Sequence, residues 1–192
     1  GLSDAFVAEF NSTGALLAYS SVFDPDASLE VSDLAVTTDG LVLLAGHYIG
    51  QAAYAVPNKT VNEAPGYSEG FVAAWQPVNQ TWMWMASIGG TGSDEIYSIS
   101  QDDEGGAYVL ARSSSLVTYS INPDNSSRIT SPNSGLPGTT DVLVSRITGH
   151  GDWLWTASVT GAGNDDAHSI AAMNGGAVVS GGTASITMTF EA

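Results

Sequence analysis

The sequence predicts an all-β protein of three tandem, four-stranded antiparallel units, and three observations carry that prediction. Residues 82–95 return as residues 153–166. Trp82 and Trp84 recur as Trp153 and Trp155, Ala86-Ser87 as Ala157-Ser158, Gly90 and Gly92 as Gly161 and Gly163, and Asp94 as Asp165. A copy in register means one folding unit used repeatedly. No segment holds an apolar period of 3.6 over three turns, and 22 glycines in 192 residues leave little room for long helices. Short apolar runs instead alternate with clusters of Gly, Asn, Asp and Pro, the pattern of strands and tight turns.

The first unit spans residues 1–50. Asp4-Ala5-Phe6-Val7-Ala8-Glu9-Phe10 reads as a strand closed by the turn Asn11-Ser12-Thr13-Gly14. Leu16-Leu17-Ala18-Tyr19 is a second strand, standing where the other units carry Trp-x-Trp. The loop at residues 23–28 replaces the glycine-rich loop of the later copies. Residues 31–36 form a third strand and residues 41–46 a fourth, apolar throughout as in a strand buried on both faces. Residues 51–67 are a connection, with Ala52 to Val56 as a short edge strand.

The second unit, residues 68–121, opens on Glu69-Gly70-Phe71-Val72-Ala73-Ala74-Trp75. It continues through the Trp-x-Trp strand, the glycine loop, a strand at 96–100, a turn ending in Gly105-Gly106, and a strand at 107–111. A proline-punctuated connection covers residues 122–139. The third unit, residues 140–192, repeats the order: a strand at 141–147, Trp153-Leu154-Trp155, the second glycine loop, strands at 168–172 and 177–181, and a last strand at 186–190. That last strand has its counterparts in residues 54–56 and 116–119. All three units belong to one domain.

Composition narrows the partners. Twenty acidic residues against four basic ones give a net charge of −16. Such a chain repels phosphate backbones and anionic membrane surfaces, so nucleic-acid binding and membrane docking are excluded as expectations. No apolar run approaches the roughly 20 residues that span a bilayer, so direct membrane insertion is not expected. The chain has no cysteine, hence neither disulfides nor thiolate metal sites. It opens on Gly1 rather than methionine, which reads as a processed, exported chain whose signal peptide is already removed or as a piece of a longer chain.

The pattern Asp-x-Phe-Val-Ala, turn, Trp-x-Trp, Gly-x-Gly-x-Asp, strand, Gly turn, Val-x-x-Gly rests on residues 4–11, 69–106 and 141–181. It resembles the secreted β-propeller repeat of bacterial and archaeal cell-surface proteins. The resemblance implies an extracellular or cell-surface setting and a β-propeller-like architecture. Two features depart from it. The units open 65 and then 72 residues apart (Asp4, Glu69, Asp141), longer than the 40–50 or so of a propeller blade. Three units are also fewer than the four to eight or so that close a ring. The expected architecture is therefore an incomplete ring or open array, with extra hairpins in the long connections. Open arrays leave unpaired strand edges, so self-association is the expected partnership. Residues 16–28, the most divergent from the other copies, mark an end of the array or a contact with another subunit.

Candidate sites are few. Trp82 and Trp84, like Trp153 and Trp155, stand at i and i+2, which puts each pair on one strand face, as sheet-to-sheet packing or as a stacking platform for surface glycans. Asp94-Glu95 and Asp165-Asp166 close the glycine loops, and Asp24 and Asp26 occupy the matching place in the first unit. Such carboxylates on a mobile loop are candidate Ca²⁺ ligands; the alternative is a turn whose Asp bonds nearby backbone. Asn11, Asn58, Asn79 and Asn125 each open an N-glycosylation sequon on a turn or connection. His47, His150 and His168 stand at no metal-ligand spacing, and no nucleophile elbow, phosphate loop or nucleotide fingerprint is present. No catalytic residue is assigned, and a glycan-processing enzyme is the least supported class. The expected function is a non-catalytic structural or self-assembling surface protein of a filament, surface layer or adhesive array. The alternative is a carbohydrate- or calcium-dependent surface-binding module.

Overall fold

The computed structural model describes residues 3–22, 27–50, 64–115, 117–121, 128–132, 138–185 and 187–191. Among them every regular element is a strand, all pairing is antiparallel, and no sheet closes on itself. In chain order the strands are β1 (Ala5–Phe10), β2 (Leu16–Val22), β3 (Ala27–Val36), β4 (Val42–Gly50), β5 (Ala64–Gln76), β6 (Thr81–Gly89), β7 (Asp94–Gln101) and β8 (Ala107–Ser113). They are followed by β9 (Val117–Ile121), β10 (Arg128–Pro132), β11 (Asp141–Ile147), β12 (Trp153–Gly161), β13 (Asp165–Met173), β14 (Gly176–Thr183) and β15 (Met188–Glu191).

The strands form four sheets. Sheet A is β1-β2, sheet B runs β3-β4-β5-β6-β9-β10, sheet C runs β7-β8-β11-β12-β15, and sheet D is β13-β14. The sequence repeat and the sheet are therefore out of phase. Each internal sheet takes its first two strands from the second half of one repeat and its next two from the first half of the following one. The glycine loop is the reason: it carries the chain from the Trp strand of one sheet to the first strand of the next. This corrects the expectation that each repeat is one four-stranded unit. It also leaves sheets A and D as half-sheets.

The final strands take the counterpart role that the sequence suggests. β9 pairs the outer edge of β6 (Ser87 with Ile121), and β15 pairs the outer edge of β12 (Ser158 with Glu191). With β10, β9 makes an extra hairpin within the second long connection. Residues 54–56, the third counterpart, lie outside the described residues.

The sheets stack in the order A, B, C, D, and the apolar core lies between them. Leu43, Ala45, Val72 and Trp84 of sheet B meet Ile96, Val109, Leu143, Ile147 and Trp153 of sheet C. Val7 and Ala18 of sheet A pack on Leu44 and Trp75 of sheet B, while Tyr108, Leu110, Val142 and Val159 of sheet C pack on Ala167 and Ile170 of sheet D. Strands that bury both faces, such as the Val-Leu-Leu-Ala run of β4, are apolar at every position for this reason. Each large aliphatic or aromatic side chain so buried contributes about 1.5–3 kcal/mol.

Turns recur with the repeat. Gly40, Gly105 and Gly175 sit at equivalent turn positions with φ of 82°, 85° and 77°, a left-handed conformation that glycine adopts without steric cost.

Candidate functional site

The Trp-x-Trp strands carry a β-bulge that the i, i+2 spacing does not reveal. In β6 Trp82 pairs Trp75 while Trp84 pairs Ala74, with Met83 as the extra residue. In β12 Trp153 pairs Ile147 while Trp155 pairs Arg146, with Leu154 extra. One added residue reverses the alternation, so the two tryptophans of a pair point to opposite faces, correcting the single-face expectation. Trp82 Nε1–H donates to Ser20 Oγ of sheet A at 3.0 Å, whereas Trp84 Nε1–H donates to the Gly149 carbonyl of sheet C at 2.8 Å. Trp153 turns back into the B–C core and Trp155 turns toward Tyr108, at 6.1 Å between ring centroids. The Trp82–Trp84 pair thus pins sheet B to both neighbours, while of the second pair only Trp153 reaches a neighbouring sheet.

The glycine loops are built as clamps. Asp94 is buried at the start of β7 and accepts from Ser115 Oγ at 2.7 Å, and Ser115 Oγ accepts the Gly92 N–H at 2.8 Å. In the next copy Asp165 accepts from Thr183 Oγ1 and from Ser185 Oγ (3.1 Å), and Ser185 Oγ accepts the Gly163 N–H at 3.0 Å. The loop thus ties to the segment that follows the second strand of its sheet. Glycine is required by closeness: a Cβ on Gly92 would lie 2.8 Å from the Ser114 carbonyl oxygen, and one on Gly163 would lie 2.7 Å from that of Ala184. Burial pushes the Asp94 carboxyl up, against the bonds from Ser113, Ser115 and the Gly90 N–H.

Two further acids, whose sequence positions mark only the openings of repeats, join these aspartates at the sheet junctions. Glu69, buried on β5, packs over Gly89 and accepts from Tyr48 Oη at 3.3 Å. Burial, with the nearby Asp94 charge, pushes its carboxyl up to about 7. Asp141 is its counterpart on β11. It accepts the Gly161 N–H at 3.2 Å, and burial with the Asp165 charge pushes it up too. Their only sequence signal is the recurrence of an acid immediately before an apolar strand.

The second carboxylate of each loop projects the other way and meets a cation. Glu95 Oε2 and Asp166 Oδ1 each take one arm of Arg112, both at 3.1 Å, so one guanidinium joins sheet C to sheet D. Glu95 also accepts from Tyr97 Oη (2.8 Å) and from Ser68 Oγ of sheet B (3.2 Å). Burial opposes ionisation of Glu95, but the Tyr97 bond and the His47 and Arg112 charges outweigh it and hold the carboxyl low. Asp94 and Glu95 therefore face different surroundings, as do Asp165 and Asp166. Among the described residues no three His, Asp or Glu side chains gather in a metal-holding group. Asp24 and Asp26 lie outside the described residues.

Of the sequons, Asn11 and Asn79 lie on exposed turns. Asn11 Oδ1 accepts from the Thr13 and Ala15 N–H groups, and Asn79 Oδ1 accepts from Thr81 Oγ1. Asn58 and Asn125 lie outside the described residues.

The ends of the stack expose what the interior hides. On sheet A, Phe6 and Phe10 are 75% and 60% exposed, and Leu16 and Tyr19 stand open beside them. Their counterparts in sheet B are Phe71, Trp75, Trp82 and Met85, all packed against sheet A. At the other end no described strand pairs the outer edge of β14, Val178 faces outward, and Trp155 is 40% exposed where its counterpart Trp84 is 6% exposed. Comparison of the chain with protein-family models and with curated proteins finds no match to either.

Proposed function

We propose that this chain is a non-catalytic, extracellular structural protein of β-propeller-like repeats that self-associates into a filament, surface layer or adhesive array. The observation that carries this reading is the pair of unfinished half-sheets at the ends of the stack. Both present strand edges, and sheet A presents an apolar face that the repeat buries everywhere else. Exposed edges and faces of this kind recruit further strands. The scarcity of lysine and arginine, the absence of cysteine and the turn-borne sequons support a surface setting. Arg112 and Glu95 support a structural role, since their bonds to Asp166 and Ser68 hold one sheet to the next. The orientation of the tryptophans weighs against a glycan platform, because the members of a pair share no face.

The test is the molecular mass of the native chain by multi-angle light scattering over a hundredfold concentration range. Growth of mass with concentration is the expected result. A monomer throughout would sink the reading.

A further inference from the structure

We propose that β13–β14 of one copy and β1–β2 of a second copy combine into a single four-stranded antiparallel sheet, with β14 pairing β1, so that copies join head to tail. This rests on the self-assembly reading and specifies its joint. Sheets A and D are complementary halves: D consists of the first two strands of the internal pattern and A of the next two. Within the chain they do not pair, and sheets B and C stand between them.

The internal sheets dictate the register. β4–β5 pairs His47 with Gly70 and Leu44 with Ala73, and β8–β11 pairs Arg112 with Val142 and Val109 with Ser145. In sheet D, Ala167 opposes Gly181 as Ile96 opposes Ala111 and Val31 opposes Gly46. Gly182 and Val179 therefore hold the places of His47 and Leu44, while Ala5 and Ala8 hold those of Gly70 and Ala73. The joint sets Gly182 opposite Ala5, Gly181 opposite Phe6 and Val179 opposite Ala8.

The receiving surface has the matching shape. A pocket of about 210 Å³ opens beside the outer edge of β14, walled by Val142, Val159, Val179 and the strand segment 180–183. Phe6 holds the place of Phe71 and Leu143, which turn toward the preceding sheet and are buried there. In the joint, Phe6 enters this pocket. Trp155 gains its partner at the same time. Trp84 donates to the Gly149 carbonyl in the β11–β12 turn. The β1–β2 turn has the same bonding, Asn11 N–H to Ala15 O and Gly14 N–H to Asn11 O, matching Thr148 N–H to Asp152 O and Gly151 N–H to Thr148 O. The Ser12 carbonyl of the second copy thus holds the place of Gly149 and accepts from Trp155.

The test uses the absence of native cysteine. Ala8→Cys and Val179→Cys chains are mixed under oxidation, beside a control mixture of Ala8→Cys and Val78→Cys, whose cysteine lies on the distant β5–β6 turn. A disulfide-linked heterodimer in the first mixture alone is expected. Acrylamide quenching of the wild-type chain, corrected with Trp155→Phe, is expected to lose the accessible Trp155 component as mass grows. Phe6→Ser, a change at an exposed site, leaves a folded monomer with Trp155 still quenched. Assembly without the 8–179 link, or with Trp155 still accessible, overturns this joint while self-assembly stands. A monomer at every concentration overturns both.

Discussion

At the scale of single residues, the chain places carboxylates where burial disfavours their charge. Glu69 is the clearest case. Its carboxyl faces Asp94 across the B–C junction and Tyr48 within its own sheet, and it keeps its proton up to about pH 7. A carboxyl raised from 4.5 to about 7 contributes stability that is complete below its unfolded value and is lost as pH rises through the folded one. Each tenfold change in a proton's binding constant between the folded and unfolded chain is worth about 1.4 kcal/mol. Urea unfolding is therefore expected to show a loss of roughly 3 kcal/mol between about pH 5 and about pH 8. Glu69→Gln removes most of that slope. An unchanged slope in the variant would mean that Glu69 ionises as freely in the folded chain as in the unfolded one. Glu95 and Asp102 act in the opposite sense. For Asp102, burial is outweighed by the Gly106 N–H and Arg146, so its contribution is lost as pH falls below the ordinary carboxylate range.

At the scale of elements, the glycine loop is a joint between sheets whose tightness is set by backbone contact. Gly92→Ala puts a methyl group against the Ser114 carbonyl group, whose backbone atoms have little room to yield. We expect a loss of about 1–3 kcal/mol, read as a lower urea midpoint with an unchanged slope. The same change at Gly176, where a Cβ meets nothing within 4 Å, is the control and leaves the midpoint unaltered. The bulges of β6 and β12 belong to this scale too, since one extra residue per strand turns a one-faced tryptophan pair into a two-faced one, and in β6 that pair bonds both neighbouring sheets.

At the scale of the whole molecule, charge and assembly oppose each other. Copies carrying −16 repel, and that repulsion is screened within about 8–10 Å at moderate salt. Burial of Phe6, Phe10 and Leu16 works in the other direction and does not depend on screening. Assembly is therefore expected to strengthen as NaCl rises from about 0.02 to about 0.5 M, with sedimentation velocity as the measure. Weakening over that range would indicate a joint held by ion pairs instead. Such pairs are scarce to begin with, as Arg112 and Arg146 are already engaged within the chain.

The strand character of the chain, its turns and its repeat were legible in the sequence because each depends on neighbours a few residues apart. Alternation, glycine turns and a copied Trp-x-Trp are local signals. Tertiary structure alone decided three things. The break between sheets falls inside the repeat, because the glycine loop crosses from one sheet to the next. The tryptophans of a pair part company, because a bulge is invisible in spacing. And Glu69 and Asp141, ordinary acids in the sequence, become buried partners of Asp94 and Asp165 only when successive sheets stack.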